Sequence, residues 1–223
     1  PILYKVFSRM VQLRIKPLLE RAQTPDQAGF RSGYGCADHL FTITQIIEKS
    51  NEHQLPLWVC AIDFQKAFDT VEHSALWTAL LKQGVPYQYV SLLKGLYTGQ
   101  AGRVILDVAS RPFQITRGTK QGDPISPSLF NAVLEEAMSG LRADWAERKC
   151  GVHLGNPQLR LTNLRFADDI LLVATSREMV TQMLHDIKQA ASAVGLQLHM
   201  GKTKVPTNAY ARETAEQDWI QLG

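Results

Sequence analysis

Cysteine is scarce: Cys36, Cys60 and Cys150 are the three in 223 residues. An odd, scattered set is not a disulfide framework, and without a C-x-x-C pair it has no zinc-site spacing. A reducing intracellular compartment, nucleus or cytoplasm, fits that usage. No apolar run approaches the roughly 20 residues that cross a bilayer, and no signal peptide opens the chain, so no membrane partner is expected. Neither charge dominates. Twenty-four Lys and Arg against 21 Asp and Glu leave +3, too little to argue for nucleic acid unless the basic residues cluster. Repeats and low-complexity tracts are also missing, and the composition excludes disordered and collagen-like chains. What remains is 45% hydrophobic, ample for the core of one large domain or two small ones. Oligomeric state has no signature. The chain opens on Pro1 and a mid-domain helix, as a piece of a longer polypeptide would.

Periodicity supplies the elements. Val6, Phe7, Met10, Leu13, Leu18 and Leu19 recur at helical intervals between Lys5, Arg9, Arg14 and Lys16. The spacing predicts an amphipathic helix over Tyr4 to Arg21 with a basic face, either nucleic-acid-binding or simply solvated, bent or ended at Pro17. A glycine-rich loop follows, and Asp38 is placed as N-cap of the next helix. Leu57 to Ile62 is continuously apolar and reads as a strand buried on both faces. Helices are expected at about His73 to Gln83, Pro86 to Tyr97, Ser126 to Lys149 and Arg177 to Val194. Paired strands are expected at Arg103 to Val108 with Arg111 to Thr116, and at Leu159 to Phe166 with Ile170 to Ala174. Short strands at Leu196 to His199 and Thr203 to Val205 close the ordered part.

Two features carry chemistry. The apolar strand ends abruptly on Asp63, and the second hairpin turns on Ala167-Asp168-Asp169. Alone, Asp63 reads equally as a helix cap or loop carboxylate, and Asp-Asp as a solvated turn. If both strands are central in one sheet, the three carboxylates meet although Asp63 and Asp168 are 105 residues apart. Ionised carboxylates about 4 Å apart repel by roughly 1 kcal/mol in water and several times that near protein. They then need a cation, and an all-oxygen set without His or Cys suits Mg²⁺. Two such ions serve phosphoryl transfer.

Ala61-Ile62-Asp63-Phe64-Gln65-Lys66-Ala67-Phe68-Asp69 resembles the first catalytic motif of reverse transcriptases. Arg117 to Asn131, with its Gln121-Gly122-Asp123-Pro124 centre, resembles the second. Phe166-Ala167-Asp168-Asp169 is similar to the third, and Gly195-Leu196-Gln197-Leu198-His199-Met200-Gly201-Lys202-Thr203 to the fourth. The dialect resembles the non-LTR (LINE-type) retrotransposons, whose finger region Tyr4 to Arg9 and Gln27-Ala28-Gly29-Phe30-Arg31 also resemble. The matches run in family order from about residue 4 to 204. His199 departs from the family, which often carries Asn there.

The resemblance implies a fold and a set of roles. The fold is α+β, a polymerase palm with an antiparallel sheet flanked by helices on a ferredoxin-like core. Residues 1–56 form partial fingers, 57–206 the palm with fingers-like helices at about 73–97, and 207–223 a polar tail, the start of a missing thumb or a linker. No endonuclease or RNase H segment is recognisable. Asp63 and Asp168 are implied as direct ligands of two Mg²⁺ ions, with Mn²⁺ as a substitute. Asp169 completes the acidic pair more loosely, and Phe64 contributes its backbone carbonyl. Phe68 matches the steric gate under the incoming sugar; a core aromatic is the bland alternative. Gln121 and Gly122 match the loop beside nucleotide and template. Lys202 matches a proton donor to pyrophosphate, or else is a solvated lysine. Arg31 matches a contact with template or incoming phosphate, or else is a surface arginine. The implied function is an RNA-directed DNA polymerase adding dNTPs to a DNA primer on an RNA template. A group II intron-type or cellular reverse transcriptase, a truncated non-catalytic nucleic-acid-binding remnant, and a domain whose carboxylates are only structural stay open as alternatives.

Overall fold

A computed structural model describes residues 2–106, 109–156 and 159–212. The first helix, α1 (Ile2–Ala22), runs through Pro17 rather than ending there. Ile15 and Leu19 on either side of the proline are buried, and their packing outweighs the lost backbone bond. In α2 (Cys36–Glu52) the N-cap is Gly35, and Asp38 sits at the third helical position, where its carboxylate accepts from the Gly35 N–H at 3.0 Å. The expected cap is thus displaced by three residues, the reach of a capping box.

The centre is β1 (Trp58–Ile62), followed by α3 (Ala67–Thr70), α4 (His73–Lys82) and α5 (Tyr87–Tyr97). A two-residue ribbon pairs β2 (Ala101–Gly102) with β3 (Phe113–Gln114). The strands expected over 103–108 and 111–116 shrink to this ribbon and an Ile105–Ala109 bridge; residues 107 and 108 lie outside the described residues. Their large apolar side chains, Ile105 and Leu106, are exposed, so no buried face extends the pairing. The long helix α6 (Ser126–Glu147) takes Pro127 in its first turn, where a missing N–H costs nothing.

The single strand expected over 159–166 is interrupted. β4 (Val152–His153) pairs with β5 (Arg160–Leu161), whereas β6 (Asn163–Phe166) pairs with β7 (Asp169–Ala174). Then comes α7 (Arg177–Ala193), whose N-cap Ser176 accepts from the Met179 N–H at 3.2 Å. The chain ends its described part with α8 (Ala209–Arg212). The strands expected over 196–199 and 203–205 are isolated bridges, Leu198 to Phe64 and Lys204 to Ala61. Of the expected polar tail, 213–223 lie outside the described residues.

The main sheet is antiparallel, in the order β1-β7-β6. Trp58, Cys60 and Ile62 on β1, with Ile170, Leu172 and Ala174 on β7, face the large core shared with α6 and α7. Val59 and Val173 face the opposite side, against Ile43 of α2, Leu57 and Leu164. Burial on both faces is why β1 and β7 from Ile170 onward are continuously apolar. The architecture is α+β, as expected.

Candidate active site

Register brings the acids together. β1 and β7 pair with Trp58 opposite Ala174 and Ile62 opposite Ile170. One step further along the same register, Asp63 lies beside Asp169. The β6–β7 turn is two residues long, Ala167 and Asp168, and its ends Phe166 and Asp169 pair. Ala167 holds the left-handed φ of 57°, a conformation costing a non-glycine residue about 1–3 kcal/mol. This turn carries Asp168, which lines one cleft with Phe64, two residues beyond β1.

The charges feel one another. Burial, then Asp168, then Asp63 push the Asp169 carboxyl above the ordinary aspartate range. Asp63 also faces Lys202, whose Nζ is 3.1 Å from its Oδ2. The Lys202 side chain is 65% exposed, so the pair can open at little cost. Lys202 is placed by main chain: its N–H donates to the His199 carbonyl, while the His199 N–H donates to the Asp63 carbonyl at 2.7 Å. Among the described residues no three His, Cys, Asp or Glu side chains close into a formed metal site.

A cleft of about 470 Å³ opens beside the acids. Phe64, Phe68, Gln121, Gly122 and Asp168 line it, all singled out from the sequence, together with Lys66 and Lys120. Phe68 is half-buried, stacked on Phe130 with centroids 4.5 Å apart and edge-on to Phe30 at 6.3 Å. It therefore packs as a core aromatic does and also faces the cleft. The bridge between Phe64 and Leu198 uses the Gln65 and His199 N–H groups on either side, not the Phe64 carbonyl. Gly122 takes φ 75°, a conformation glycine adopts without strain.

The second-motif loop is pinned at one end and backed at the other. Gly118 and Thr119 donate to the Val71 and Phe68 carbonyls at 2.8 and 2.7 Å. Buried Asp123 accepts from the Tyr4 hydroxyl at 2.6 Å and from Ser8. Burial, reinforced by Asp123, holds the Tyr4 phenol protonated. Lys120 lies 4.4 Å from the Tyr4 ring centroid, and burial lowers its ammonium's proton affinity. Tyr4, Ser8 and Asp123 lie within the motif segments, which imply no role for them; the acid between Gly122 and Pro124 is the signal in the sequence.

Arg31 is neither a surface arginine nor a cleft residue. Its side chain is 7% exposed, bonded to Glu20 at 3.0 Å and to the Thr24 and Gln27 carbonyls, with its guanidinium 4.1 Å from the Tyr34 ring centroid. These ties fix the loop and leave the guanidinium engaged away from the cleft.

The chain matches the family described as "Reverse transcriptase (RNA-dependent DNA polymerase)" over residues 1–217. It is 32% identical, over 80% of its own length and 16% of the other's, to the Pol polyprotein of type-2 retrotransposable element R2DM from Drosophila melanogaster. It is 28% identical over 90% of its length to the Pol polyprotein of element R2 from Popillia japonica, of which it spans 28%. A 149 kDa protein of transposon TX1 from Xenopus laevis is 30% identical over 77% of the chain and 13% of that protein. The chain thus spans less than a third of these relatives. Among solved structures, telomerase from Candida albicans superimposes with TM-score 0.64 at 12% identity, covering 92% of this chain and 35% of that one, a likeness of fold. The sheet, the cleft and the relatives agree: the chain belongs to the reverse transcriptase family, with its similarities among non-LTR retrotransposons.

Proposed function

We propose that this chain is the polymerase core of a non-LTR retrotransposon protein, transferring dNMP from dNTP to a DNA primer on an RNA template. The observation that supports it is the electrostatic nearness of Asp168 and Asp63 to Asp169, beside a cleft that Asp168 lines with Phe68, Gln121 and Gly122. Residues 1–56 serve as fingers and 57–206 as palm. Template and primer lie across the palm, held through their backbones because a polymerase reads any sequence. An intracellular compartment, nucleus or cytoplasm, goes with that work.

Members of the family use divalent metal, and the donor set here suits Mg²⁺, with Mn²⁺ as a substitute. The fit rests on accumulated charge: Asp169 is pushed toward protonation by Asp168 and Asp63, and an ammonium already stands on Asp63. Asp63 and Asp168 would hold two ions, with the Phe64 carbonyl and, more loosely, Asp169. When bound, such ions activate the primer hydroxyl and stabilise the departing oxygen. Lys202 leaves Asp63 and gives a proton to pyrophosphate as the bond to the α-phosphorus breaks. Gln121 and Gly122 present the loop against which nucleotide and template stack. Phe68 excludes a 2′-hydroxyl by overlap.

Primer extension on an RNA template, by this chain and by its full-length polypeptide, tests the reading. Mg²⁺-dependent dNMP incorporation supports it, and none from the full-length polypeptide with Mg²⁺ or Mn²⁺ refutes it. Phe68→Ala is expected to raise kcat/KM for ribonucleotides relative to deoxyribonucleotides, since the discrimination lies in transition-state binding. An unchanged ratio in a folded, active variant removes the gate but not the polymerase. Lys202→Ala is expected to lower kcat by about 10²-fold, the lower end of general-acid catalysis, with little change in dNTP KM. A parent-like kcat would leave Lys202 as a solvated partner of Asp63.

A further inference from the structure

Gln27 is wholly buried, and its primary amide spends all its contacts on backbone. Its Oε1 accepts from the Ala167 N–H and the Gly29 N–H, each at 2.8 Å, and its Nε2 donates to the Ala167 carbonyl at 3.0 Å. One planar amide therefore grips both peptide groups that flank Ala167. Those two planes define φ and ψ of the residue, and φ is the unfavourable 57°. A strained residue persists only where its surroundings over-determine it. The carbonyl so held is bonded directly to the nitrogen of Asp168.

The loop that carries Gln27 is itself locked to the hairpin. The Arg165 N–H donates to the Asp26 carbonyl at 2.6 Å, and the Ala28 N–H to the Arg165 carbonyl at 2.8 Å. Asn131 of α6 donates to the Gly29 carbonyl at 2.8 Å. The approach is so close that a Cβ on Gly29 would lie 2.2 Å from the Ala167 nitrogen. No bond to Asp168 itself is involved, so the arrangement acts on where that carboxylate stands and leaves its chemistry alone.

We infer that Gln27 is a positioning residue for the polymerase reaction, a clamp from the fingers loop that sets the Ala167 turn and through it the Asp168 carboxylate. The inference rests on the function proposed above. Outer-shell groups of this kind typically cost 10–100-fold in metal affinity or activity when removed, and a displacement near 1 Å suffices.

The test compares the parent with Gln27→Met, a similar volume without polar atoms, and Gln27→Glu, which keeps the acceptor and loses the donor to the Ala167 carbonyl. Two readouts are taken: steady-state extension, and the melting temperature as a function of Mg²⁺. Gln27→Met is expected to lose 10–100-fold in kcat with dNTP KM within about threefold, and to need about tenfold or more Mg²⁺ for half its melting shift. Gln27→Glu should fall between parent and Met on both scales. A folded Gln27→Met with parent-like kcat and Mg²⁺ midpoint overturns the clamp. Should it not fold, Gln27→Glu decides alone, and parent-like values in it are equally fatal. A full-length parent inactive with Mg²⁺ and with Mn²⁺ refutes the polymerase reading, and the Mg²⁺ titration still judges the clamp.

Discussion

Asp63→Asn is expected to leave the chain folded and to reduce extension by about a thousandfold or more. The loss follows from the ligand's role: transition-state charge stabilisation by a metal is worth several kcal/mol, and about 4 kcal/mol is three powers of ten. The stability change has two opposing parts. The Lys202 pair disappears, but the lysine side chain is 65% exposed and such pairs are worth about 0–1 kcal/mol. Against this, Asp169 loses a repelling neighbour. A carboxyl whose folded pKa is raised, as that of Asp169 is, costs stability above its unfolded pKa. The cost disappears as pH falls below both values. Relief should therefore appear near neutral pH and be absent in strong acid, leaving the melting temperature unchanged or higher. Mg²⁺ should stabilise the parent more than the variant, by linkage. Equal Mg²⁺ shifts in the two proteins would remove the metal site from Asp63.

Glu135→Ala is expected to cost about 3–5 kcal/mol of unfolding free energy. Arg165, 1% exposed at the end of β6, donates to the Glu135 carboxylate at 3.0 Å, and Glu135 is 3% exposed. Its other supports are the Thr24 hydroxyl at 2.7 Å and the Asp26 carboxylate at 3.8 Å. Its Nε and Nη1 are buried without a hydrogen-bond partner among the described residues, and burial weakens the guanidinium's hold on its proton. Removing Glu135 strands that charge, the costly way to break a buried pair. Arg142, which also reaches Glu135, is more exposed and can turn to water. The double replacement Glu135→Leu/Arg165→Leu should recover much of the loss, because apolar substitutes avoid desolvating two ions. Urea unfolding measures both. A Glu135→Ala cost below about 1 kcal/mol would mean that water reaches Arg165.

Sequence periodicity located β1, β7 and the six longer helices because each has a face the core must cover; the four-residue helices α3 and α8 are too short to show a period. It could not locate features set by contacts distant in the chain. Pro17 reads as a breaker until α1 is seen packed on α6. The division at Thr162 depends on β5 and β6 choosing different partners, β4 and β7. The acids were legible as an anomaly, charges at the ends of apolar strands, and the register then joined them. Gln27 was not, since an uncharged amide in a loop has no signature until both its ends are seen engaged. Arg31 shows the same limit: a charge suggests solvent or ligand, whereas its partners in the fold are Glu20 of α1 and carbonyls of its own loop.

The bonds from Tyr4 and Ser8 to Asp123 span 119 and 115 residues of chain, which matters while the protein is being made. Synthesis runs at about 5–20 residues per second, so α1 waits roughly 6–23 seconds on the ribosome before Asp123 is polymerised. During that interval Ile15 and Leu19, buried in the finished fold, have no α6 to cover them. The waiting helix is a natural client for a chaperone that shields apolar segments of nascent chains. Gln27 must wait longer, because its partner Ala167 lies 140 residues downstream. The Ala167 turn thus acquires its support only after the greater part of the fold has left the exit tunnel.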